Sequence, residues 1–170
     1  MKNNSGFSLI ELVMVMVILA IIGVLVMFPK TYLGQISEVD AANKVKSDIR
    51  YAQSYALSTQ KRTRVAFNSA TESYSVYSEN SPLSATWSLI DNPLTRASFT
   101  VNLATDGFPG VDITQANFDG VGNGLVFDAA GRPYSCNSAG SGVALLTASG
   151  TVSFAGGTVL TVVPNTGKVE

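Results

Sequence analysis

The 170-residue sequence contains no histidine. That absence removes the commonest general base and the commonest metal ligand. A serine nucleophile would then need a Ser–Lys pairing, and no signature of one is present. The single cysteine, Cys136, excludes an internal disulfide. It lies in Tyr134-Ser135-Cys136-Asn137-Ser138, a loop-like context, and is expected as a small unpaired side chain rather than an intermolecular bridge. Charged residues make up only 14% of the chain, well below the usual quarter. The formal net charge of −1 provides no global field toward nucleic acid or an anionic membrane surface. Gly, Ser, Thr and Asn take the place of charge after Asn68, which favours short strands and turns. There is no clear internal repeat and no long linker.

What the sequence does have begins near its N-terminus. From Leu12 to Phe28 there is no charged or polar side chain, and only Gly23 interrupts the run. Together with Phe7, Leu9 and Ile10 it reaches the roughly 20 residues that a bilayer's hydrocarbon core requires. Glu11 is the misfit. An ionisable residue in such a segment is costly and calls for a partner and a function. Three arrangements compete. A cleavable secretory signal would end in small residues, whereas this run closes in Met27-Phe28-Pro29-Lys30-Thr31-Tyr32. A plain signal anchor explains the length but leaves Glu11 to snorkel toward the interface. Processing ahead of the run, at Gly6-Phe7, keeps the helix and removes Lys2. The new amine of Phe7 is then the cation available to a carboxylate in hydrocarbon.

Gly6-Phe7-Ser8-Leu9-Ile10-Glu11-Leu12 resembles the class III signal of type IV pilins and type II secretion pseudopilins. The resemblance implies that a prepilin peptidase cuts between Gly6 and Phe7 and methylates the new amine. It also implies that Glu11 neutralises the N-terminal amine of a neighbouring subunit during filament assembly.

After Pro29 the pattern becomes amphipathic. Ile36, Val39, Ala42, Val45, Ile49, Ala52 and Ala56 recur at helical spacing, with Glu38, Lys44, Lys46, Asp48 and Arg50 largely off that stripe. One long helix is expected from Phe7 to Thr59, with Pro29 and Gly34 loosening it. The period then shortens. Arg64–Asn68 and Ser73–Ser78 alternate around Asn68-Ser69-Ala70-Thr71, a hairpin signature. Further strands are expected at 87–90, 97–103, 125–127, 143–147, 150–154 and 158–163, the last three joined as antiparallel hairpins. Residues 105–124 read as surface loop with a short strand near Val111–Ile113. The expected fold is α+β: a leader at 1–6, a transmembrane and assembly helix at 7–29, an amphipathic continuation at 30–60, and an antiparallel β-rich domain at 61–170.

Ser47–Ala56 followed by Thr63–Phe67 is similar to the helix-to-first-strand region of the GspH/FimT family. Phe127-Asp128-Ala129-Ala130-Gly131-Arg132 resembles that family's F-x-x-x-G-R strand and turn. Thr166-Gly167-Lys168-Val169 resembles its closing T-G-R-V motif, with lysine in place of arginine. These matches imply a minor pilin or pseudopilin, a structural subunit without a cofactor, at or near a filament tip. They imply other pilins, a prepilin peptidase, the inner-membrane assembly platform and membrane lipid as partners, and a single-pass inner-membrane protein with its β-rich part in the periplasm.

Some members of the family bind DNA through a C-terminal G-R-x-R motif. Here the matching residues are Gly167, Lys168, Val169 and Glu170, with glutamate in place of the second arginine. Lys61, Arg62 and Arg64 form a second basic group, which the favourable placement of cations at a helix C-terminus explains more simply. Asp106, Asp112, Asn117, Asp119 and Asn123 crowd an oxygen-rich loop. Their spacing is not that of an EF-hand, and turn chemistry accounts for them. Tyr74, Tyr77, Trp87 and Phe99 at strand spacing are expected in the core or on a sheet face.

Overall fold

The computed structural model describes residues 8–26, 31–84, 86–120 and 122–170. The chain divides into two compact units, residues 1–32 and 33–170. The first contains helix α1, Leu9–Val26, eighteen residues with Glu11 in its first turn. Ser8 starts it: the Glu11 amide donates to the Ser8 carbonyl at 3.1 Å and meets the Ser8 hydroxyl at 3.4 Å. Ser at the cap with Glu three residues later is the capping-box pattern. The large apolar side chains from Leu9 to Ile22 are exposed on every side of this helix. At about 1.5 Å per residue it extends about 27 Å, short of the ~30 Å of a bilayer's hydrocarbon core. Among the described residues no helix is long and apolar enough to cross a membrane. The expected span of 7–29 runs past the described residues at both ends, and so do Pro29 and the expected continuity of the long helix.

Helix α2, Thr31–Thr59, supplies one wall of the second unit's core. Ala41, Ala42, Val45, Ile49, Ala52 and Ala56 are buried along it, and their small volume lets the helix approach a sheet closely. Two details differ from the sequence expectation. Val39 is exposed, while Glu38 and Asp48 are buried. At about 100° per residue, Glu38 falls in the same arc as Ala42, Val45 and Ile49, and Val39 lies beyond it.

The larger sheet is antiparallel, in the order β3(Trp87–Leu89), β2(Ser73–Glu79), β1(Thr63–Asn68), β6(Gly124–Phe127), β7(Pro133–Cys136), β8(Ala144–Leu145), with β4(Thr100–Asn102) also on β2. The β1–β2 hairpin pairs Thr63 with Ser78 and Asn68 with Ser73, as the alternation predicts. One face of this sheet sends Val65, Phe67, Tyr74, Val76, Leu125 and Phe127 into the core shared with α2. A second sheet, β5(Ile113–Asn117), β9(Gly150–Phe154) and β10(Val159–Val162), is ordered β10-β9-β5. Phe118 joins the two, fully buried and 6.0 Å from the Phe67 ring.

Three expected elements are corrected. Residues 133–136, read as turn and loop, form β7, whose proline occupies the first position, where a strand tolerates it. The strand expected near Val111–Ile113 lies at Ile113–Asn117. Finally, β8 pairs with β7 rather than forming a hairpin with β9. Asp119 accepts the amides of Thr147 and Ala148 at 2.6 and 2.7 Å and turns the chain from one sheet into the other.

Candidate functional site

The residues singled out by sequence fall into three places. Gly6 and Phe7 lie outside the described residues. Glu11 is exposed in the first turn of α1, where a carboxylate is also favoured by the helix dipole. Its surroundings are the bare apolar side chains of the same helix, so within the described chain it has no cationic partner.

The second place joins the two family-like turns. Asp128 Oδ1 accepts the amides of Ala130 and Arg132, both at 2.9 Å, and Oδ2 accepts Arg132 Nε at 2.8 Å. Burial opposes ionisation of Asp128, but these donors outweigh it and hold the carboxyl below the usual aspartate range. From α2, Gln53 Nε2 donates to the carbonyls of Gly131 and Thr166, each at 2.8 Å. Arg50 donates to the Val169 carbonyl at 3.2 Å. The final residues then pair with β10, with Thr161 and Glu170 exchanging amide-to-carbonyl bonds. One helix thus holds both turns, an arrangement the sequence did not reveal because the partners are 78 and 113 residues apart.

The basic group is the third place, and it does not form a patch. Arg62 is mostly buried in a bidentate ion pair with Glu79 of β2. Arg64 is buried on the sheet face away from α2, against the rings of Tyr77 and Trp87. Lys61 alone of the three is exposed. An ion pair and aromatic stacking therefore place Arg62 and Arg64, rather than the helix C-terminus expected from sequence. Lys168 is exposed and paired with Glu170 at 2.6 Å, which offsets the charge that a phosphate would need.

The comparisons with known proteins fit this architecture. A model of the prokaryotic N-terminal methylation motif matches residues 1–27, and a model of the type II transport protein GspH matches residues 41–167. The chain belongs to the GspH family. No curated protein and no solved structure matches it. The second match begins on the buried face of α2 and ends at Gly167, so it takes in both turns that Gln53 joins. Together the two matches make the chain a pilin-like pseudopilin of the type II secretion and type IV pilus class, with an α+β pilin-like fold. The family is structural rather than enzymatic, and it associates with other pilins or pseudopilins and with prepilin peptidase.

The remaining candidates in this GspH-family chain are explained locally. Among the described residues no group of His, Cys, Asp and Glu could hold a metal ion. In the oxygen-rich loop, Asp106 accepts the Asn102 amide at 2.9 Å and Asn117 accepts the Gly120 amide at 2.9 Å. Asn123 donates to the Phe67 carbonyl, and Asp119 is engaged as above. Cys136 is free and buried, its thiol pushed up to about 11 by burial, which leaves it unreactive. Tyr74 and Phe99 are in the core, whereas Tyr77 and Trp87 are on the other sheet face with Arg64.

Proposed function

We propose that the chain is a minor pilin or pseudopilin: a structural subunit, not an enzyme, of a type IV pilus or a type II secretion pseudopilus. Prepilin peptidase removes residues 1–6 between Gly6 and Phe7, and the new Phe7 amine is methylated. Residues 7–29 hold the protein in the inner membrane as a single pass. Residues 30–60 continue as the amphipathic helix, and the β-rich domain at 61–170 lies in the periplasm. On assembly, Glu11 of one subunit neutralises the amine of its neighbour, and the assembly platform draws the helix out of lipid into the filament. The subunit acts at the tip or in assembly initiation.

The observation that carries this function is the Gly6–Glu11 signature running into the first turn of a helix whose apolar side chains from Leu9 to Ile22 are exposed all round. A helix apolar on every side needs lipid or other helices around it. A DNA-uptake role draws less support, because Arg62 and Arg64 are held inside the fold and Lys168 faces Glu170. The test is Gly6→Leu, followed by mass measurement of the membrane-bound protein. The expected product is an unprocessed precursor retaining residues 1–6. Mature protein of normal mass would overturn the processing assignment.

A further inference from the structure

The second unit carries complementary chemistry at its two ends. Just past Thr59, where α2 stops, lies a pocket of about 430 Å³. Its charged lining is Lys61, Arg62 and Arg132 with the carboxylates Glu79 and Asp128. Glu79 holds Arg62 and Asp128 holds Arg132. Lys61 is exposed and enters no ion pair among the described residues, so the pocket has one more cation than it has acids. Leu83 adds an apolar wall, 81% exposed and held at φ 60°. A left-handed backbone is uncommon for a bulky residue. A leucine held outward in that conformation is a feature that contact with another molecule explains.

The other end is acidic. Between β4 and β5 the 104–112 loop presents Asp106, Pro109 and Asp112, all exposed. Asp106 lines a groove with Lys44 of α2. The Asp112 carbonyl accepts the Ala155 amide at 3.1 Å, beside the turn that Glu38 holds. The loop thus sits level with α2 residues 38–44, about 25 Å or more along the helix from Lys61. It is also pre-formed: Asp106 accepts the Asn102 amide at 2.9 Å, and the Phe108 amide donates to the Leu103 carbonyl at 3.0 Å. The charge of Asp112 raises the pKa of the adjacent Glu72. Neither of these acids nor Asp106 enters an ion pair among the described residues. We propose that the 104–112 loop of a second copy of this chain seats on the Lys61 pocket, its carboxylates pairing with Lys61. The inference rests on reading the chain as a filament subunit. The loop brings carboxylates to an unpaired amine and an exposed proline to an exposed leucine. A twofold dimer through either surface would set like charges against each other. Pairing two different patches from opposite ends is heterologous, so the contact does not close and repeats along a helical array.

A carbodiimide joins a carboxylate to a lysine amine where the two touch. An equal mixture of unlabelled and nitrogen-15 full chain is treated in detergent micelles, and the linked peptides are identified by mass. The expected product is a mixed-isotope link between Lys61 and the 104–112 loop. Within one chain these groups are about 25 Å apart along α2, so the link forms between copies. Raising salt from about 0.01 M to about 1 M shortens the Debye length from ~30 to ~3 Å and lowers the yield several-fold. Lys61→Glu abolishes the link, and adding Asp112→Lys restores it with acid and amine exchanged. Both positions are exposed, so Tm stays unchanged in the variants, and a merely disturbed fold would not be rescued by the second substitution. Absence of the link, equal yields from Lys61 to acids outside the loop, or no rescue in the double variant overturns the proposal. Gly6→Leu chain forms the same link, because the contact does not use the processed N-terminus. A precursor from Gly6→Leu without the link overturns this contact alone. The link together with mature protein from Gly6→Leu overturns the processing assignment alone.

Discussion

Glu38 shows how one side chain can take a role opposite to its sequence pattern. Its carboxylate accepts the Gly156 amide at 2.5 Å and the Thr158 amide at 2.9 Å, closing the turn between β9 and β10 against α2. Burial raises its pKa, but the bonds from Thr158 and Gly156 more than offset that, and the net shift is downward. A carboxyl with a depressed folded-state pKa stabilises the fold above its unfolded value and loses that contribution as pH falls through the folded one. Glu38 and Asp128 should therefore cost the chain stability below about pH 4.5, and Glu38→Gln should flatten part of that slope in acid titrations of urea midpoints. Glu38→Ala leaves two inward-facing amides without an acceptor and is expected to cost about 1–3 kcal/mol at neutral pH, read by the same denaturant curves. The sequence could not show this, because a glutamate on a helix looks solvent-facing until a turn 118 residues later arrives to meet it.

At the scale of elements, regular periodicity and local hairpins were legible, and pairing between distant strands was not. The 3.6-residue repeat of α2 and the two-residue repeat of β1 and β2 follow from apolar spacing alone. In contrast, β7 is only four residues long and begins with proline, too short a run after a turn residue to carry a clear strand signal. It forms because β6 offers an open ladder from Gly124 to Phe127. The closing turn depends on a similar long-range fit. Gly167 has φ 67°, and a Cβ there would come within 2.7 Å of Phe127 and 2.8 Å of Gln53. Gly167→Ala combines a left-handed backbone with overpacking and is expected to destabilise by about 2 kcal/mol or more. It should also loosen the tail, giving faster amide exchange at Thr161 and Val163. Lys168→Ala, one residue on and fully at the surface, should leave both measurements unchanged. Equal effects of the two substitutions would show that charge, and not backbone fit, sets this turn.

For the molecule as a whole, the two units have opposite relations to their surroundings. The second, residues 33–170, buries its apolar side chains around α2 and two sheets. The first presents the large apolar side chains from Leu9 through Ile22 exposed. Such a surface is stable only in lipid or against other helices. Glu11→Leu makes α1 wholly apolar, so membrane insertion should be retained or improved while incorporation into filaments falls several-fold, measured as sheared-filament yield against membrane-bound protein. Unchanged incorporation would remove the proposed contact between Glu11 and a neighbouring amine.

The sequence by itself determined the N-terminal signature, the exposed apolar helix, the helical stripe, the first hairpin and the family. Each of these rests on residues close together in the chain, where spacing alone carries the physics. Only the tertiary structure decided what the polar residues do. It placed Glu38 in a hairpin turn, Gln53 between two turns, Arg62 on Glu79 and Arg64 against the rings of Tyr77 and Trp87. These are contacts between segments far apart in sequence, and a polar side chain's role depends on which donors or acceptors the fold brings to it.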